Sequence, residues 1–179
     1  MDSITQTDFL ILDFIHNNLT CRFFDLLLTF FTHLGNGGII WFIAGFALIL
    51  SKKYRKSGIT MLCAMAFGFL TGNMILKNLI ARPRPCWINT DVLLLIENPS
   101  DYSFPSGHTL SSVICATVLT LTDRKFGFAA IPAALLIAFS RLYLYVHFPS
   151  DVVFSVVYGI CIGIVACRIA GKFFGCKSN

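Results

Sequence analysis

Three stretches of this chain combine residues that bind an anion with residues that move protons: KNLIARPRP at 77–85, PSGH at 105–108 and SRLYLYVHFPSD at 140–151. In the first, Pro83 and Pro85 push Arg82 and Arg84 out of helical geometry, while Lys77 lies on the helical turns before them. A lysine there and an arginine on the return can converge on one anion. For Arg82 the competing reading is a basic side chain snorkelling towards lipid headgroups. In the second stretch Ser106 suits an N-cap, so the N–H groups of Gly107 and His108 would point out of a helix N-terminus. Glycine at 107 lets an oxyanion approach the backbone closely. In the third, Pro149 suits the first turn of a helix and puts Asp151 within that turn. Asp151 follows His147 by four residues; it can fix the tautomer of that imidazole, complement the helix dipole, or do both. Anion binding alone needs only cations and N–H groups, so two histidines in the set point to proton transfer or nucleophilic attack.

The elements that carry these residues are apolar. Of 179 residues, 56% are hydrophobic and 13% charged, with 18 phenylalanines and a mean hydropathy of +0.75. A soluble domain carries roughly 25% charged residues. The composition predicts an all-α integral membrane protein, one domain over 1–179, with no nucleic-acid partner. The first twenty residues hold Asp2, Asp8 and Asp13 and no lysine or arginine, unlike a secretory signal. Residues 7–18 read as an N-terminal amphipathic helix at the membrane interface. Of the seven cysteines, Cys63, Cys115, Cys161 and Cys167 lie inside apolar runs, and no C-x-x-C pair occurs, so neither a disulfide framework nor a metal site is expected.

Apolar runs predict a bundle of six transmembrane helices, near 20–35, 38–51, 57–80, 107–122, 127–145 and 150–171, although a bilayer core of about 30 Å needs about 20 helical residues and the first, second and fourth runs are shorter. Lys52, Lys53, Arg55 and Lys56, then Arg124 and Lys125, then Arg168, Lys172 and Lys177 mark three cytoplasmic regions by the positive-inside rule. An even number of spans then puts both termini in the cytoplasm and the loops at 81–106 and 146–149 outside the cell. Lys77, Arg82, Arg84, His108, Arg141, His147 and Asp151 gather at that outer face. Ionisable residues at such depth face a bundle interior or a wet cavity, and they mark a site. Gly68 with Gly72, and Gly159 with Gly163, fit close helix packing. Asn73 reads as interhelical glue rather than support for the site, and His33 as incidental.

Together the three stretches resemble the signature of the type-2 phosphatidic-acid phosphatase superfamily. The first motif is a lysine, six residues, then Arg-Pro: Lys77, NLIARP, Arg84-Pro85. The second is Pro-Ser-Gly-His, 105–108. The third is Ser-Arg, five residues, His, three residues, Asp: Ser140-Arg141, LYLYV, His147, FPS, Asp151. All three match, in the family's order. The resemblance implies a six-helix membrane lipid phosphatase needing no metal or other cofactor. It implies His147 as nucleophile forming a phosphohistidine, Asp151 orienting it, and His108 as general acid and then base. Lys77, Arg84, Arg141, Ser106 and the N–H of Gly107 would hold the phosphate oxygens, with Arg82 as a possible accessory. The expected partner is a lipid phosphate within the bilayer. Compactness resembles small bacterial members that act on undecaprenyl diphosphate; phosphatidate or phosphatidylglycerol phosphate is the rival substrate, and a non-enzymatic anion- or lipid-binding protein the rival class.

Overall fold

A computed structural model describes residues 3–174, which are helical apart from their connections. The helices are α1 (Ser3–Leu19), α2 (Arg22–Gly35), α3 (Ile39–Leu50), α4 (Arg55–Gly68), α5 (Lys77–Ile80), α6 (Pro85–Ile88), α7 (Gly107–Thr122), α8 (Arg124–Tyr143) and α9 (Pro149–Phe174). A π-helical stretch, Phe69–Leu76, joins α4 to α5, so the chain runs as one rod from 55 to 80.

α7 forms the centre, packed on α8, α9 and α4. The expected small-residue contacts form here. A Cβ on Gly68 or Gly72 would come within 2.4 or 2.5 Å of Ile114 or Leu110, and one on Gly163 within 2.7 Å of Thr117. Glycine lets these helices touch through backbone, and dispersion between close surfaces holds them where water cannot drive burial. The outward faces of the helices carry exposed Phe23, Phe46, Phe128, Leu135 and Val157. Among the described residues, four helical runs have the length and hydropathy to cross a bilayer, and α7 is a shorter apolar helix. Apolar surface of this extent around a charged interior belongs to a multi-pass membrane protein.

The path of the chain differs from the expected six crossings. Cys21 donates its N–H to the Tyr143 hydroxyl at one end of α8, while Tyr54 reaches Asp123 and Phe126 at the other end. α2 and α3 together therefore cover the length of α8 once. At 1.5 Å per residue they are only about 21 and 18 Å long, each too short for the bilayer core. Their junction at Asn36–Gly38 is a kink within one passage, made by Gly37 and Gly38 with φ of 58° and 71°, which a side chain would resist. The described chain makes five passages, along α2–α3, α4–α5, α7, α8 and α9.

An odd count separates the chain ends. α1 lies at the end of the bundle where α8 finishes and α9 begins, with Asp13 accepting from Tyr145 and Asp8 from Ser150. α9 starts there and runs to the far end. Hence α1 and the end of α9 sit at opposite ends of the bundle, not at the same one. The basic residues 52–56, 124–125, 168 and 172 gather at the far end as expected; Lys177 lies outside the described residues.

Candidate active site

A cavity of about 940 Å³ opens among α2, α3, α4, the π-helical stretch and α7. Its apolar part is lined by Phe42, Met65, Ala66, Phe69, Leu110 and Ile114, and its polar part by Lys77, Arg84, Asp101, His108, Arg141 and His147. The cavity thus joins an oily groove to a polar part where Lys77, Arg84 and Arg141 gather around Asp101, with Glu97 a second carboxylate on the lining. Lys77, Arg84 and Arg141 are each 5% exposed or less. Cations so buried require compensating charge.

The surroundings supply only part of it. Arg84 donates to the Asp101 carbonyl and to its Oδ1, both at 2.6 Å, and to the Val146 carbonyl at 2.7 Å. Lys77 pairs with the other Asp101 oxygen. Although burial works against it, the hydrogen bond from Lys77 and the charge of Arg84 hold the Asp101 carboxyl well below the usual carboxylate range. Arg141 bonds Thr32, has no carboxylate partner among the described residues, and leaves its buried Nε unpaired. An anion in the cavity would complete this set.

His147 sits in the turn between α8 and α9, almost fully buried. Its Nε2 is 3.1 Å from Arg84 Nη1. A guanidinium only donates, so Nε2 accepts and carries the lone pair, and the ring proton is on Nδ1. On that side Ser103 Oγ lies 3.5 Å away and itself donates to Asp151 Oδ2 at 2.5 Å. Asp151 Oδ2 is 3.7 Å from Nδ1, so the expected direct contact is a relay through Ser103 rather than one hydrogen bond. Burial, then the charges of Arg84, Arg141 and Lys77, push the His147 imidazolium well below its ordinary pKa. The ring is neutral, its lone pair aimed at the cations.

His108 stands on the first turn of α7 and lines the same cavity. Gly107 precedes it, and a Cβ there would lie 2.7 Å from the Asn73 amide, so a larger residue would push that amide aside. Asn73, expected as glue, lines the cavity because the π-helical stretch around it turns it towards α7.

Two expected residues stand elsewhere. Ser106 is at the N-cap position but makes no side-chain cap bond; its hydroxyl pairs with Thr109 at 3.0 Å and is fully buried away from the cavity lining. Its backbone N–H is taken by Ser155 at 2.9 Å. Arg82 also turns away. Its guanidinium stacks 4.0 Å over the Phe148 ring and donates to Asp151 Oδ1 at 2.6 Å, Ser150 at 2.7 Å and Asp8 at 2.8 Å. The left-handed backbone at Ala81, φ 47°, ends α5 so that successive arginines of RPR face different partners.

Sequence reading passed over Asp101, Ser103, Asp8 and Asn36. Asp101 and Ser103 come directly before PSGH, and a search for the acid that balances three buried cations would have reached Asp101. Asp8 is the carboxylate on the buried face of α1.

The fold and these residues define an α-helical membrane protein with a charged, histidine-bearing cavity that continues into an apolar groove. A family model described as the PAP2 superfamily matches residues 57–174, and the chain belongs to that superfamily. It is 33% identical over 131 residues to an undecaprenyl-diphosphatase of Sulfolobus acidocaldarius, covering 73% of this chain and 63% of that protein. It is 29% identical over 142 residues to the decaprenylphosphoryl-5-phosphoribose phosphatase of Mycobacterium tuberculosis, covering 78% and 77%. Against the Bacillus subtilis undecaprenyl-diphosphatase BcrC the figures are 31% identity, 66% and 58%, so the chain spans under two thirds of the length of both undecaprenyl-diphosphatases. Two crystal structures have the same fold: LpxE of Aquifex aeolicus, at 29% identity and TM-score 0.77, covering 88% of this chain and 93% of that one, and a transmembrane PAP2-type phosphatidylglycerolphosphate phosphatase of Bacillus subtilis, at 25% and 0.78, covering 96% and 88%.

Proposed function

We propose that this protein is a lipid phosphatase that takes a polyprenyl diphosphate, undecaprenyl diphosphate foremost, to the monophosphate. The observation that carries the reading is the continuity of the cavity, apolar along Phe42, Met65 and Phe69 and cationic at Lys77, Arg84 and Arg141. Such a cavity suits a substrate whose chain stays in lipid while its phosphate meets the cations. In the proposed reaction His147 Nε2 attacks the terminal phosphorus in line. The P–N bond forms as the bond to the leaving oxygen breaks, and His108 gives that oxygen a proton. Water then attacks the phosphohistidine, its proton passes to His108, and the P–N bond breaks to release phosphate. Lys77, Arg84, Arg141 and the Gly107 N–H stabilise the charge on the equatorial oxygens, and the cycle needs no metal.

Assay of purified protein with undecaprenyl diphosphate and phosphatidate in one detergent tests the substrate. A kcat/KM favouring the diphosphate supports the reading; a tenfold preference for phosphatidate, about 1.4 kcal/mol, replaces the substrate and keeps the mechanism.

In the proposed orientation the basic end of the bundle is cytoplasmic, the site faces outward, and α1 lies on the site's side. In a background lacking native cysteines, single cysteines at Thr7 and Asn98 should react with an impermeant thiol reagent from outside, and one at Ser57 should not. Protection at position 7 with labelling at 98 would restore six crossings.

A further inference from the structure

We infer that Asn36 is a positioning residue for His108, holding its Nε2–H so that Nδ1 is the nitrogen that exchanges the proton with the leaving oxygen. The inference rests on the phosphatase reading and on His108 as its acid. His108 Nε2 lies 2.8 Å from Asn36 Oδ1. The amide's other atom, Nδ2, lies 3.2 Å from His33 Nδ1 and donates to it, in keeping with the oxygen facing His108. An amide oxygen only accepts; the proton it receives is on Nε2, and Nδ1 is left with the lone pair.

Three features of the kink serve this contact. Gly35 lets the chain pass against the ring, since a Cβ there would stand 2.8 Å from His108 Cδ2. Asn36 ends α2 with its own N–H on the His33 carbonyl, which fixes the residue's backbone. The left-handed Gly37 and Gly38 then start α3 without extending the helix past the histidine. The contact lies at the depth where α2 and α3 break. It also comes from residues 35–38, ahead of the 57–174 segment that matches the family.

An amide is suited to the task. A carboxylate would hold His108 as the imidazolium and oppose release of its proton, whereas a neutral acceptor fixes the tautomer and leaves both protonation states accessible. Loss of the acceptor frees the ring to rotate or to exchange tautomers, and proton transfer is sensitive to that geometry.

The test separates proton donation from binding through the leaving group. Asn36→Ala should lower kcat on phosphatidate, whose alkoxide needs a proton, roughly ten- to hundredfold, part of the about 100- to 10,000-fold that a positioned acid supplies. KM and the affinity for orthovanadate should stay within about twofold, since Asn36 touches none of the three cations. With p-nitrophenyl phosphate, whose phenolate leaves without a proton, nitrophenol release in the first turnover should fall less than about threefold. Equal losses on both substrates, or weakened vanadate binding, would reduce Asn36 to a structural residue. Wild-type protein inactive on every lipid phosphate would remove the phosphatase reading and this inference together; active wild type with an unaffected variant would remove the inference alone.

Discussion

His147 and His108 line one cavity, yet the chain holds them by opposite means. His147 is sealed in the turn between α8 and α9, with Arg84 on Nε2 and, behind Nδ1, a chain of partners from buried Ser103 and Asp151 to half-buried Arg82 and then Asp8. Four separate parts of the sequence meet there. His108 is partly exposed, and among the described residues its ring has one hydrogen-bonding partner, an exposed amide at a helix kink. The difference follows from the proposed chemistry. A nucleophile works from one protonation state, neutral with its lone pair aimed at phosphorus, so a rigid charged setting serves it throughout. An acid that becomes a base must pass between two states, and surroundings that fixed either one would stop it.

Removing the rings gives the largest effects. His147→Ala should abolish phosphate release, and His108→Ala should cost about 100- to 10,000-fold in kcat; full turnover by the His147 variant would end the nucleophile assignment. The pH profile sharpens the contrast. Because burial and the cations depress the His147 imidazolium, the free enzyme keeps its nucleophile neutral well below the ordinary histidine value of about 6.5. The acid limb of kcat/KM from His147 should accordingly lie well below that pH. Arg84→Gln removes the first of the charges pressing on the ring, and the limb should move up towards neutrality. A limb that stayed put would mean Arg84 acts on the substrate alone.

The outer links of the His147 chain should matter less than the ring and differently from Arg84. Arg82→Ala leaves Asp151 Oδ1 without its charged donor but touches no cavity atom, so kcat should fall about tenfold, roughly 1.4 kcal/mol, with KM unchanged. Asp8→Asn should cost less again, because Arg82 keeps Asp151 and Ser150. A rise in KM alone in the Arg82 variant, read on a diphosphate substrate, would put its guanidinium on the substrate after all.

The two histidines also differ in how far the sequence exposed their settings. Lys77, Arg84, Gly107, Arg141 and both histidines were legible because each belongs to a short motif whose spacing implies convergence at one membrane face. The helices were legible within a few residues, since runs such as 107–122 have no competing structure in lipid. The course of α2 and α3 was not. Hydropathy sees two apolar runs with a glycine break between them and is blind to whether the chain reverses or merely bends; only the contacts of Cys21 and Tyr54 with opposite ends of α8 decide that. Asp8, Asn36 and Ser103 escaped for a similar reason. Each acts across long sequence separation or from a segment with no motif of its own, and Arg82, which stands beside the matched residues rather than among them, turns to Asp151 and Asp8, a direction its neighbours in sequence do not record.

Asp101 should give the smallest effect and the most discriminating one, since it sits with the His147 group but neither bonds nor orients the ring. Its carboxylate takes up both Lys77 and Arg84, the same donors a phosphate would need, although its side chain is 53% exposed. That exposure screens the pairs and keeps their worth modest. Asp101→Asn keeps the shape and an acceptor oxygen while deleting the charge that competes with substrate. KM and the inhibition constant for vanadate should fall about three- to tenfold with kcat little changed, so binding and catalysis separate at one residue. Stability should move the other way. The folded carboxyl is held below its unfolded value of about 3.9, so its contribution is fully present above that pH and is lost progressively as pH falls from there to the depressed value. At neutral pH the variant should melt at a slightly lower temperature than wild type, and near pH 3 the gap should narrow. A higher KM would instead show that Asp101 serves by holding Lys77 and Arg84 in place, as Asp151 serves His147, and the two carboxylates would then share one role.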